Sequence, residues 1–232
     1  MLYYNEFMSA PALTFNSSIT KKQIVAVTGL LLIIFIIAHL GGNLFIYGGP
    51  KALNAYAHKL HSLGALLWVP RIGLLVVFLI HVIFTYLLVM ENIKARGGLT
   101  RYAVHKPVGQ RSLATRLMPY SGAYIFFFVI WHLMDFALVD QHGPRSFING
   151  VSYGVYGLVF NAFANPVHGL LYIVAVCFLG LHLCHGVESF FQTSGYNHPK
   201  YTPMIKKTSH IFALLMVIGY SSIPVYVYLL TH

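Results

Sequence analysis

The chain alternates between five long apolar stretches and short polar connections marked by glycine and proline. The stretches cover residues 24–46, 72–90, 119–139, 167–187 and 211–230, each near the about 20 residues a helix needs to cross a bilayer. None carries the period-two alternation of a barrel strand, and a continuous helix satisfies every backbone amide within its own segment. The pattern therefore predicts an all-α integral membrane bundle of five transmembrane helices. Breakers separate them at Gly48, Gly49 and Pro50, at Gly97 and Gly98, at Gly143 and Pro144, and at Pro199 and Pro203. No linker divides the chain, so residues 1–232 read as a single membrane domain. Between residues 51 and 68, Tyr56, Leu60, Leu63 and Leu67 recur at near-helical spacing, which fits either a short interfacial helix or a loop packed on the bundle.

Composition sharpens this picture. With 57% hydrophobic residues and only 15 basic and 5 acidic side chains, the chain cannot build a soluble globular surface. The first stretch follows a mixed segment, contains His39 and lacks a small-residue cleavage pattern, so it reads as a retained helix rather than a signal peptide. Eleven basic residues fall on one side: Lys21, Lys22, Lys94, Arg96, Arg101, Lys106, Arg111, Arg116, Lys200, Lys206 and Lys207. Four fall on the other: Lys51, Lys59, Arg71 and Arg145. The positive-inside rule then predicts a cytoplasmic amino terminus and an external carboxyl terminus. Because these charges are spread over loops, the net charge of +10 reflects topology and no nucleic-acid partner. Cys177 and Cys184 lie about 10 Å apart along one helix, too far for a disulfide.

Four histidines, His39, His81, His132 and His182, each sit inside a separate apolar stretch. An ionisable group in hydrocarbon is costly and marks a working site, and paired imidazoles there suit haem iron. Counting at 1.5 Å per residue sets His39 and His132 about 20–22 Å from the cytoplasmic edge, and His81 and His182 about 12–14 Å from it. Equal depth pairs His39 with His132 as an outer site and His81 with His182 as an inner one. His185, three residues from His182 on nearly the same face, competes as a ligand or as a propionate partner. Gly41, Gly42, Gly180 and Gly186 remove side-chain bulk where a flat macrocycle would slip between helices, although small residues also serve plain helix packing. Arg111 and Arg116 could pair inner propionates, but topology also explains them. Asp135 lies three residues beyond His132 and is expected to reach the outer interface, with imidazole tuning or quinone proton handling as alternatives. His58, His61, His105, His142, His168, His198, His210 and His232 fall in connections or at helix ends and are given no ligand role. The absence of Cys-x-x-Cys-His makes any haem noncovalent.

At these residues the chain resembles the cytochrome b membrane anchor of succinate dehydrogenases and fumarate reductases, in its single-polypeptide, five-helix, di-haem form. The matching stretches, in order, are Thr28-Gly29 with Ala38-His39-Leu40, Phe45 through Asn54-Ala55-Tyr56-Ala57-His58, Ile80-His81-Val82 ending at Glu91-Asn92, Ser112 through Tyr120-Ser121-Gly122 to Trp131-His132-Leu133, and Leu181-His182 through Gly186-Val187-Glu188-Ser189-Phe190 to Gly195. The resemblance implies that His39 and His132 bind the outer haem b and His81 and His182 the inner one, which settles the choice between His182 and His185. Some menaquinone-linked members carry a glutamate where this chain has Gly180, so a proton path through that position is not expected.

The resemblance further implies a subunit of succinate:quinone oxidoreductase in the bacterial cytoplasmic (inner) membrane. A flavoprotein with covalent FAD would hold the succinate/fumarate active site, an iron-sulfur subunit would dock on the cytoplasmic loops, and this chain would exchange electrons with menaquinone near the outer haem. The chain agrees by omission, having neither a dinucleotide fingerprint nor a cysteine cluster. Two alternatives share part of the pattern. One is the haem-bearing membrane subunit of a nitrate reductase or hydrogenase, and the other is a proton-coupled transporter using its histidines as a relay.

Overall fold

The computed structural model describes residues 17–95, 113–196 and 198–231. They form α1 (Ser18–Asn43), α2 (Gly49–His61), α3 (Trp68–Ala95), α4 (Leu113–His132), α5 (Gly154–Ala164), α6 (Pro166–Thr193) and α7 (Thr202–Thr231), with a hairpin of β1 (Phe147–Ile148) and β2 (Val151–Ser152). Five helices, α1, α3, α4, α6 and α7, are long and apolar enough to cross a bilayer, the build of a multi-pass membrane protein. Arg96, Gly97, Gly98, Arg101, His105, Lys106, Arg111, Ser112 and His232 lie outside the described residues.

All five long helices start or end beyond the apolar windows, and the long extensions lie at one end of the bundle. There α1 begins at Ser18, α3 continues to Ala95, α4 begins at Leu113, α6 continues to Thr193 and α7 begins at Thr202. An apolar window counts only the hydrocarbon core, whereas polar turns continue a helix where they find partners. Ser17 caps α1 by accepting the Thr20 amide at 3.1 Å. Lys21 of α1 pairs with Glu91 of α3, and Lys206 Nζ of α7 lies 3.8 Å from Glu188 Oε1 of α6.

The opposite end is capped by chain. The segment after α1 forms the helix α2 rather than a loop. The hairpin and α5 are not anticipated by apolar length, because strands of two residues and a helix of 11 fall below it. At the hairpin turn Asn149 and Gly150 take φ of 51° and 83°, the pairing that a two-residue hairpin loop requires. Asn165 ends α5 and caps α6, accepting the Val167 amide at 3.0 Å with Pro166 in the first turn. Asn54 ties α2 to α5 by donating to the Tyr153 carbonyl at 2.8 Å and accepting from the Tyr156 amide at 3.1 Å. Ile46, Leu53, Tyr156, Phe163, Tyr172 and Val227 form the larger buried cluster at this end, and a smaller one between α6 and α7 is built on Leu183, Cys184, Ala213 and Met216.

Burial is inside-out for a soluble protein. Of α6's apolar window 39% is buried and of α3's none, so α6 forms the centre of the bundle and α3 its rim. Helix α1 packs on α3, α4 on α6, and α7 braces α6 from behind.

Candidate functional site

An apolar-walled cavity of about 1640 Å³ opens within the bundle, and His39, His81, His132 and His182 all line it. It exceeds the about 300–1,000 Å³ of an ordinary single-ligand pocket. The four rings meet in two cross-helix pairs. His39 of α1 and His132 of α4 stand with ring centroids 5.8 Å apart and planes at 87°; His81 of α3 and His182 of α6 stand 6.5 Å apart at 69°.

The inner pair is held by hydrogen bonds. Thr28 Oγ1 on α1 lies 3.1 Å from His81 Nδ1, and Ser121 Oγ on α4 lies 3.3 Å from His182 Nδ1. Both hydroxyls are buried, and each donates its own proton to a carbonyl of its helix: Thr28 to Ile24 at 2.7 Å and Ser121 to Met118 at 3.1 Å. The following residue is glycine in both cases. A Cβ on Gly29 would sit 3.2 Å from His81 Cε1, and one on Gly122 would sit 3.3 Å from His182 Cε1.

The outer pair is held by rings. His39 stacks on Phe35 (5.3 Å, 19°) and lies beside Tyr220 at 6.2 Å, while His132 stacks on Phe128 (5.9 Å, 29°) and touches Phe136 and Tyr172. His132 Nδ1 is buried with no hydrogen-bond partner among the described residues. Directly after His132 the helix widens into a π-turn over Leu133–Ala137, closed by the Leu138 amide on the Leu133 carbonyl at 2.8 Å. Such turns recur where a helix re-aims a functional side chain.

Several expectations need correction. Asp135 is buried: Arg145 Nη2 donates to its Oδ1 at 3.2 Å, Tyr172 donates to its Oδ2 at 2.8 Å, and His168 Nε2 lies 3.1 Å from Oδ2, off the line of a hydrogen bond. The π-turn swings the carboxylate inward, and His168, expected to be interfacial, becomes its neighbour. Two of the expected clearing glycines have other duties. A Cβ on Gly42 would strike the Tyr56 hydroxyl at 2.5 Å and one on Gly180 would strike Val217 Cγ2 at 2.4 Å, so these serve the packing of α2 and α7. Gly41 and Gly186 have nothing within 4 Å. The glycines that face histidine are Gly29 and Gly122.

His185 Nδ1 lies 3.1 Å from Thr115 Oγ1 of α4, while the ring pairing with His81 is made by His182. The separation of the tiers is also corrected. Thr28 marks the inner level and His39 the outer one on the same helix, 11 residues and hence about 16 Å apart, about twice the sequence count. That count set the apolar edges at one level, whereas Glu91, just past Met90, meets Lys21, three residues before Ile24. No family model, curated protein or solved structure matches this chain.

Proposed function

We propose that the chain is a di-haem cytochrome b that anchors a succinate dehydrogenase or fumarate reductase and exchanges electrons between its iron-sulfur subunit and menaquinone. The observation that carries the reading is the cross-pairing of the four intramembrane imidazoles at two levels of one cavity. Two imidazoles on opposite sides of one metal, each with a metal–nitrogen bond of about 2.0 Å and about 1.1 Å more to the ring centre, stand about 6 Å apart between centroids. The centroid separations of 5.8 and 6.5 Å bracket that value. Among the described residues no group of three or more His, Cys, Asp or Glu could hold a bare ion. Two imidazoles on opposite sides suit a metal whose remaining positions a macrocycle fills.

His39 and His132 hold the outer haem and His81 and His182 the inner one. Bound there, haem b supplies one-electron exchange at its iron, and the residues around it supply orientation and a dry, apolar wall. The end with the helical extensions, where Lys21, Lys22, Lys94, Arg116, Lys206 and Lys207 gather, faces the cytoplasm of a bacterium and receives the iron-sulfur subunit. The flavoprotein with covalent FAD carries the succinate/fumarate site, and the ordered motifs that resemble the anchor family support this assignment over other haem-bearing membrane subunits.

An absorption spectrum of the purified protein tests the proposal. Reduction should give b-type bands from about two haems per chain, with a flavoprotein and an iron-sulfur protein co-purifying. A chain without haem bands refutes the haem reading. A haem-bearing chain that co-purifies with a molybdenum or nickel enzyme refutes the succinate or fumarate assignment alone.

A further inference from the structure

Helices α1 and α4 carry the same spaced unit. Thr28-Gly29, five residues, Phe35, three residues and His39-Leu40 on α1 correspond position for position to Ser121-Gly122, five residues, Phe128, three residues and His132-Leu133 on α4. The correspondence extends to contacts. In each unit the hydroxyl meets the inner histidine of the helix packed against it, the glycine lies under that ring, and the phenylalanine stacks on the unit's own outer histidine. Units α1–α3 and α4–α6 are thus two copies of one design, each giving one ligand to each level.

We infer that Thr28 and Ser121 are positioning residues that fix the tautomer and electronic character of His81 and His182, and so set the reduction potential of the inner haem separately from the outer one. The inference rests on the haem reading above. A hydroxyl has one proton. In Thr28 and Ser121 that proton goes to the Ile24 and Met118 carbonyls, so each oxygen is left as an acceptor for its imidazole. With the hydroxyl oxygen as acceptor, Nδ1 carries the ring proton and Nε2 is left as the free lone pair; at His81 the Val25 carbonyl is a further acceptor. A hydroxyl bonding back to its own helix is common by itself. What that habit does not explain is the burial of both, at 7% and 1% exposure, each opposite a histidine and each followed by a glycine whose Cβ would crowd the ring.

The chemical consequence is directional. An Nδ1–H that donates to an acceptor makes Nε2 a stronger electron donor, which favours ferric over ferrous iron. The outer level differs: His132 Nδ1 is buried with no hydrogen-bond partner among the described residues.

Redox titration of the b-type haems in the intact membrane complex tests the inference. The inner wave is first identified as the one lost in His81→Ala. Thr28→Val keeps the shape and removes the hydroxyl acceptor, leaving only the Val25 carbonyl at His81, and Ser121→Ala removes the hydroxyl on the other side. Each should raise the inner wave, with a threefold to tenfold loss of ferric preference as the expected range, tenfold being about 59 mV for one electron. The outer wave should stay put, and Thr28→Ser and Ser121→Thr should restore the wild-type inner wave. Selective loss of the inner haem in Thr28→Val, recovered in Thr28→Ser, also supports positioning. An inner wave unmoved in both Thr28→Val and Ser121→Ala, or both waves moving together, overturns the inference and leaves the haem reading intact. A wild-type complex without b-type haem overturns both.

Discussion

The two histidine tiers solve one problem by different physics. At the inner level, short directional bonds from Thr28 and Ser121 orient His81 and His182, and Gly29 and Gly122 let those rings approach the backbone. At the outer level, His39 and His132 are oriented by contact area, wedged among Phe35, Phe128, Phe136, Tyr172 and Tyr220. The surroundings follow the same division. The inner pair lies beside the smaller buried cluster of α6 and α7, and its rings are aimed by hydrogen bonds from buried hydroxyls. The outer end is capped by α2 and α5 over the larger buried cluster, and packing alone can fix a ring. An imidazole can thus be aimed by its nitrogen or by its faces.

The largest effects should come from the ligands themselves. Replacing His81 or His182 by alanine should lower haem content from about two per chain to about one, with the inner wave gone; His39→Ala or His132→Ala should remove the outer wave instead. The crosswise pattern is the informative part. If His39→Ala and His81→Ala remove the same haem, the tiers are not organised as the ring pairs indicate.

Next in size are the glycines. Gly29→Val and Gly122→Val place a branched side chain where a Cβ alone already lies 3.2 or 3.3 Å from the histidine ring. Overpacking of this kind costs about 1–3 kcal/mol, and it should appear as loss of inner haem with outer haem retained. Gly41→Val is the control, because nothing lies within 4 Å of its Cβ position near His39. Haem content equal in all three variants would mean that the close approach at the inner level does no work.

Much of this is legible in the sequence. Five helices follow from five apolar runs, and the pairing of His39 with His132 and of His81 with His182 follows from comparing depths. Three things were not read. Asp135 looked like an interfacial acid because its partners, Arg145, His168 and Tyr172, come from a loop and a different helix, and no local pattern announces a π-turn. The duties of Gly42 and Gly180 depend on Tyr56 and Val217, which approach from other elements. The repeat of hydroxyl, glycine, phenylalanine and histidine on α1 and α4, by contrast, was present in the sequence. It escapes a search for similarity because only a few positions of each unit coincide and the rest are interchangeable apolar residues.

Asp135 supplies the third prediction. Its carboxylate joins the Arg145 loop and Tyr172 of α6 to the π-turn beside His132, so Asp135→Ala leaves the Tyr172 hydroxyl without its acceptor. The Arg145 side chain is 46% exposed and can turn to water, which limits the loss to about 2 kcal/mol. On heating, the variant should release outer haem before inner haem. Simultaneous release would show that the network stabilises the fold at large rather than the outer tier.

The smallest effects separate the two copies of the repeated unit. Phe35 and Phe128 occupy the same place, four residues before an outer ligand, and an aromatic contact of this kind is worth about 0.5–1.5 kcal/mol. Their surroundings differ. Phe35 is 39% exposed on the bundle surface, whereas Phe128 also meets Tyr172 edge-on at 5.1 Å and packs against the larger buried cluster. Phe128→Leu should therefore weaken retention of the outer haem toward the upper end of that range, and Phe35→Leu toward the lower. Neither should move the inner wave. Should both variants keep the outer haem as firmly as the wild type, ring contact would not be what aims His39 and His132, and the contrast between a bonded tier and a packed tier would lose its outer half.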